Sequence, residues 1–149
     1  MALTPNIYYV SLTGRNFVDA DEIQSHIDVM TDAVRTAHPD SVLDSSLSRA
    51  HPQGLGEANL GGQSFADCMR REFDAIDRAD TVIFLANSAL LGEGQLLEFG
   101  YTVALRKQMI LAKSTELEDS WFDAMVEHTV RYESLSDLRQ NLQSCLIEI

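Results

Sequence analysis

The sequence predicts an α/β protein built on an open parallel sheet of five strands with helices on both faces. Two observations carry that reading. Short β-branched or apolar runs alternate with longer stretches of helical period, and each run is separated from the next by enough chain for a crossover that returns it in the same direction.

The first strand is Ile7-Tyr-Tyr-Val-Ser-Leu12, followed by a helix over residues 19–37 with Ile23, Ile27, Met30 and Val34 on its inner face. A short strand at 41–43 leads into an irregular stretch, residues 44–63, rich in Gly and Pro-flanked polar residues. Loops of that length inside a domain are uncommon, and this one reads as a cover over the site, with disorder as the alternative. Its glycines lack the strand-turn-helix context and the lysine of a phosphate-binding loop. A helix over 64–79 then precedes the strand Thr81-Val-Ile-Phe-Leu85, a helix over 94–106 precedes Gln108-Met-Ile-Leu-Ala112, a helix over 116–127 precedes Thr129-Val-Arg-Tyr132, and a helix over 134–147 closes the chain. This is a flavodoxin-like or Rossmann-like order of elements in a single domain, 1–149. Such sheets bind ligands beyond the carboxyl ends of their strands at a topological switch point, where the turn at residues 11–15 and the segment around Glu98 should meet.

Composition is that of an ordinary globular domain, 45% apolar and 23% charged. The net charge of −12, with no basic stripe, argues against a nucleic-acid polymer as partner. The acidity reads as solubility, with discrimination against phosphorylated ligands as a by-product. Cys68 and Cys145 form neither a disulfide scaffold nor a metal pair, and His26, His38, His51 and His128 show no zinc spacing, so neither metal nor cofactor is expected. The longest apolar run, 82–86, is too short to span a bilayer and the amino terminus lacks the pattern of a signal peptide, which together predict a cytoplasmic protein without a membrane partner.

Two carboxylates stand out of pattern. Glu98 is the only charged side chain between Gly94 and Leu105, in a segment that otherwise reads as a buried helix. Burial penalises a carboxylate by several kcal/mol unless partners compensate, so such groups concentrate at sites of chemistry. Taken alone, Glu98 is as readily a first-turn acid that complements a helix dipole for about 0.3 to 1 kcal/mol. On the preceding helix Phe65, Met69, Phe73 and Ile76 recur on one apolar face, and Glu72 falls beside them while Asp67, Arg70, Arg71, Asp74, Asp77 and Arg78 lie opposite. One inward acid can be explained by a core arginine; two on consecutive helices point to a shared pocket.

The block Glu93-Gly94-Gln-Leu-Leu-Glu98-Phe-Gly-Tyr-Thr-Val-Ala-Leu-Arg-Lys107 resembles the acidic-Gly-x-x-x-Glu-x-Gly pattern, ending in Lys, of the nucleoside 2-deoxyribosyltransferases and their relatives, the 5′-deoxynucleotide N-hydrolases. The resemblance implies that Glu98 is the nucleophile, that Glu72 stands where the family has an Asp, and that Tyr8 contacts the nucleophile. It also implies that Asp123 and Met125 are lent to a neighbouring subunit's pocket, which makes the protein a homo-oligomer, a dimer or higher, with shared sites. Ser11, Gly14, Arg15, Glu93 and Gly94 are then candidates for binding substrate, Arg15 being equally readable as a solvated turn residue. Gly92 departs from the pattern, because the transferases carry at that position an Asp that helps to hold the sugar.

The residues fit that chemistry on their own terms. Cleavage of an N-glycosidic bond passes through an oxocarbenium-like state that a carboxylate can capture while a second carboxyl protonates the departing base. In this expectation Glu98 stays ionised and Glu72, on an apolar face, holds the proton. The substrate expected is a 2′-deoxynucleoside and the acceptor a second nucleobase. Asp123 would repel a 5′-phosphate, which favours transfer between nucleosides over hydrolysis of a 5′-monophosphate; a non-catalytic nucleoside sensor is the third reading.

Overall fold

The computed structural model describes residues 6–45 and 64–149. Within them lie strands β1 (Ile7–Ser11), β2 (Val42–Ser45), β3 (Thr81–Ala86), β4 (Gln108–Ser114) and β5 (His128–Tyr132), and helices α1 (Ala20–Ala37), α2 (Phe65–Arg78), α3 (Glu93–Ala104), α4 (Trp121–Met125) and α5 (Leu135–Glu148). The strands form one sheet in the order β2-β1-β3-β4-β5, all pairs parallel, with the switch point between β1 and β3. The expected flavodoxin-like sheet is the observed one. The covering loop expected at 44–63 falls, from residue 46 on, outside the described residues.

Alternation along the strands splits the core in two. Tyr8, Val10, Leu12, Ile83, Leu85, Ile110 and Val130 face α1 and α5, which contribute Ile27, Met30, Val34, Leu138, Leu142 and Leu146. Tyr9, Val82, Phe84, Met109 and Leu111 face α2 and α3, with Ala75, Ile76 and Phe99. Complete burial of a leucine is worth about 1.5–3 kcal/mol, so the three of α5 alone anchor that helix firmly. Four of the five helices start on side chains that accept orphan amide protons: Asp19, Ser64, Ser120 and Ser134 each receive a backbone N–H of the first turn.

Two elements differ from expectation. The helix predicted over 116–127 is only the single turn α4, because the carbonyls ahead of it are taken by side chains: Lys113 Nζ donates to Glu118 O at 2.6 Å and Arg131 Nη1 to Leu117 O at 2.8 Å. On α2, Phe65 is exposed and the buried face is Cys68, Glu72, Ala75 and Ile76, rotated from the predicted stripe but keeping Glu72 inside.

Candidate active site

Glu98 sits in the middle of α3 and is 2% exposed. Across the gap to β1, Tyr9 Oη donates to Glu98 Oε1 at 2.9 Å and Ser11 Oγ donates to Glu98 Oε2. From α2, the buried carboxyl of Glu72 approaches that of Glu98. Burial, followed by the hydrogen bond and charge of Glu72, holds the Glu98 carboxyl well above the usual carboxylate range, while the Ser11 and Tyr9 hydroxyls pull it down. The two hydroxyls thus favour the anion on Glu98 against its burial. Glu98 was expected simply to stay ionised; its burial against a second acid instead raises its affinity for a proton.

A second polar cluster secures the carboxyl ends of β1 and β3. Gln95, one helical turn ahead of Glu98, donates through Nε2 to Ser11 O at 3.1 Å and to Leu85 O at 3.0 Å, and accepts from Thr13 Oγ1 at 2.6 Å. Thr13 Oγ1 in turn accepts from Gly92 N at 2.9 Å, the amide just ahead of α3. A Cβ at Gly92 would stand 2.9 Å from Thr13 Cγ2, so Thr13 fills the space in which a side chain at position 92 would lie.

Glu98, Glu72 and Ser11 are thus brought together. Tyr8 is not with them. As the neighbour of Tyr9 on a strand it points to the opposite face, where it stacks on His38 with ring centroids 6.3 Å apart; the hydroxyl on Glu98 belongs to Tyr9. Gly14 and Arg15 form a single 3₁₀ turn after β1, Arg15 exposed. Glu93 opens α3 with its side chain in solvent, and Gly94 is half-buried near Met69. Lys107 donates to Asp77 O and Ala79 O, both at 2.8 Å, closing the end of α2.

Asp123 and Met125 stand apart on α4. Met125 is half-exposed, whereas Asp123 is committed within its own chain: Oδ2 accepts from Lys113 Nζ at 2.9 Å and from Ser120 N at 2.8 Å. Partial burial opposes its charge, but Lys113 and Ser120 outweigh that and hold the carboxyl below its usual range. Sequence reasoning missed Tyr9, Thr13, Gln95 and Lys113. Only Gln95 carried a signal, being polar in an apolar helix and one turn from Glu98. Among the described residues no cluster of His, Cys, Asp or Glu could hold a metal, and no helix is long and apolar enough to cross a membrane.

No protein-family model matches the chain, and no curated protein sequence matches it. Solved structures do. The CMP N-glycosidase BcmB of Clostridium botulinum superimposes with a TM-score of 0.64 at 13% identity, over 94% of this chain and 99% of that one. The 2-deoxyribosyltransferase of Bacillus psychrosaccharolyticus gives 0.62 at 14%, over 94% and 95%. A flavodoxin-like domain from Synechococcus gives 0.53 at 10%, over 97% and 94%. At these identities the likeness is one of fold: a flavodoxin-like parallel α/β sheet over almost the whole chain.

Proposed function

We propose that the protein cleaves the N-glycosidic bond of a 2′-deoxynucleoside and transfers the sugar to a second nucleobase. The observation that carries this reading is the buried Glu98 beside Glu72, with the hydroxyls of Tyr9 and Ser11 donating to the two oxygens of Glu98. Two hydroxyl donors on one carboxylate of a close pair suit a division of labour. A Glu98 oxygen attacks C1′ as the C1′–N bond breaks; the bonding electrons leave with the base, whose nitrogen takes a proton from Glu72. The acceptor base then returns a proton to Glu72 and attacks C1′, releasing Glu98 with net retention. A 2′-deoxy sugar suits the route because no electron-withdrawing hydroxyl opposes the developing cation. That an N-glycosidase and a deoxyribosyltransferase share the fold supports the reading.

One observation favours a second acceptor. The charge of Asp123 is taken up by Lys113, so it does not stand as a free anion against a 5′-phosphate, and hydrolysis of a 5′-monophosphate with water as acceptor gains ground. The active unit proposed is at least a dimer, since Trp121 is 87% exposed and Met125 51% exposed on α4, an apolar surface suited to a second copy.

Incubation with a deoxynucleoside and a different free base tests the function. Exchanged nucleoside is expected, and release of free sugar alone would reassign the protein as a hydrolase. Glu98→Ala should lose at least about a hundredfold in rate; retention of more than about a tenth of wild-type activity would remove Glu98 from the reaction.

A further inference from the structure

On the far side of α3 from the carboxyl pair, beyond the carboxyl ends of β3 and β4, lies a cavity of about 470 Å³. That volume is within the range of small-molecule sites, roughly 300–1,000 Å³. Its walls are apolar, formed by Leu91, Leu111, Leu117 and Phe122, and Phe122 meets Phe99 edge-on at 4.8 Å, so the α3 residue next to Glu98 backs the cavity while Glu98 faces away from it. Among the described polar residues of the lining, Lys113 is the buried one. Lys113 has a side chain only 3% exposed, and its ammonium donates to Glu118 O and Asp123 Oδ2. An ammonium carries three N–H bonds, one more than these two acceptors take.

The charges define what would fit. Asp123 already neutralises Lys113, Asp119 pairs with Arg131, and Glu116 stands among the lining residues, so an anion meets no net positive field. A ligand with flat apolar faces, a carbonyl oxygen for Lys113 and N–H groups for the acidic residues matches every element. We propose that this cavity is a second binding site, separate from the carboxyl pair, for a neutral heterocycle bearing a ring carbonyl and ring N–H groups, the chemical class of a free nucleobase. The site owes nothing to the assignment of Glu98, and stands or falls without it.

The probe is uracil, with toluene as an apolar comparator and benzoate as an anionic one, followed by amide and methyl NMR shifts on the full chain carrying Glu98→Ala. Uracil is expected to shift Leu117, Phe122 and Leu111 at millimolar concentration, with benzoate silent. Leu117→Trp, which fills the cavity without touching the Lys113–Asp123 pair, should weaken uracil binding at least tenfold, and Lys113→Met should weaken uracil but not toluene. Shifts confined to residues around Tyr9, Ser11 and Glu72, affinity unchanged by Leu117→Trp, or absence of any shift would each overturn the proposal. Should Lys113→Met fail to fold, equal affinity of the unmodified cavity for toluene and uracil would do so as well.

Discussion

At Glu98 the contest between burial and two hydroxyl donors sets a pH dependence. With its folded value raised above the ordinary 4.5, the folded protein holds a proton that the unfolded chain releases at pH values between the two. Its contribution to stability is therefore fully present below 4.5 and lost as pH rises through that window. Glu98→Gln removes the titration. Urea unfolding from about pH 4 to about 8 should show wild type losing stability relative to the variant as pH rises, and parallel curves would exclude the raised proton affinity. Tyr9 is the second residue to test, since a hydrogen bond to a charged group is worth about 1.5–3 kcal/mol. Tyr9→Phe should lower kcat about 10- to 100-fold, while Tyr8→Phe, on the other face of the sheet, leaves it unchanged. Equal losses would restore Tyr8 to the site. The sequence could not separate these two tyrosines for a physical reason: β1 is buried on both faces, so no polar alternation marks which face either one takes.

Among the elements, the junction of β1 with the start of α3 is the most exacting. Thr13 touches the amide of Gly92 and the side chain of Gln95, and leaves no room for a Cβ at position 92. Gly92→Ala is expected to cost about 1–3 kcal/mol by overpacking. Thr13→Ser deletes the obstructing methyl and keeps the hydroxyl, so the double variant should recover most of the loss in urea unfolding. Simple additivity would show that the two positions do not meet. Strands and long helices were legible from period alone, as was the inward turn of Glu72, an acid among apolar neighbours on α2. The shortening of α4 was not, because it depends on Lys113 and Arg131 reaching the carbonyls of Glu118 and Leu117 from other strands. Side-chain bonds of this kind, made from the strands to carbonyls of the connecting segment, override local propensity and leave no periodic trace.

For the whole molecule the open question is whether one chain makes a working site. Chains carrying Glu98→Ala and chains carrying Met125→Glu should each be inactive, and mixed in equal amounts should recover about a quarter of wild-type activity, the share of dimer sites that inherit both intact residues. No recovery, with both proteins folded and exchanging subunits, would confine the site to a single chain. The bonds from Tyr9 and Ser11 to Glu98 span 89 and 87 residues of sequence, and β1 lies between β2 and β3. Contacts so far apart along the chain require loop closure before they return any energy, which places them late in folding. The acid at the centre of α3 is therefore without its donors until the sheet has closed around the first strand. Regain of activity on refolding should trail the regain of helix, so that a partly folded chain carries the carboxyls but not yet the hydroxyl donors on which the proposed role of Glu98 depends.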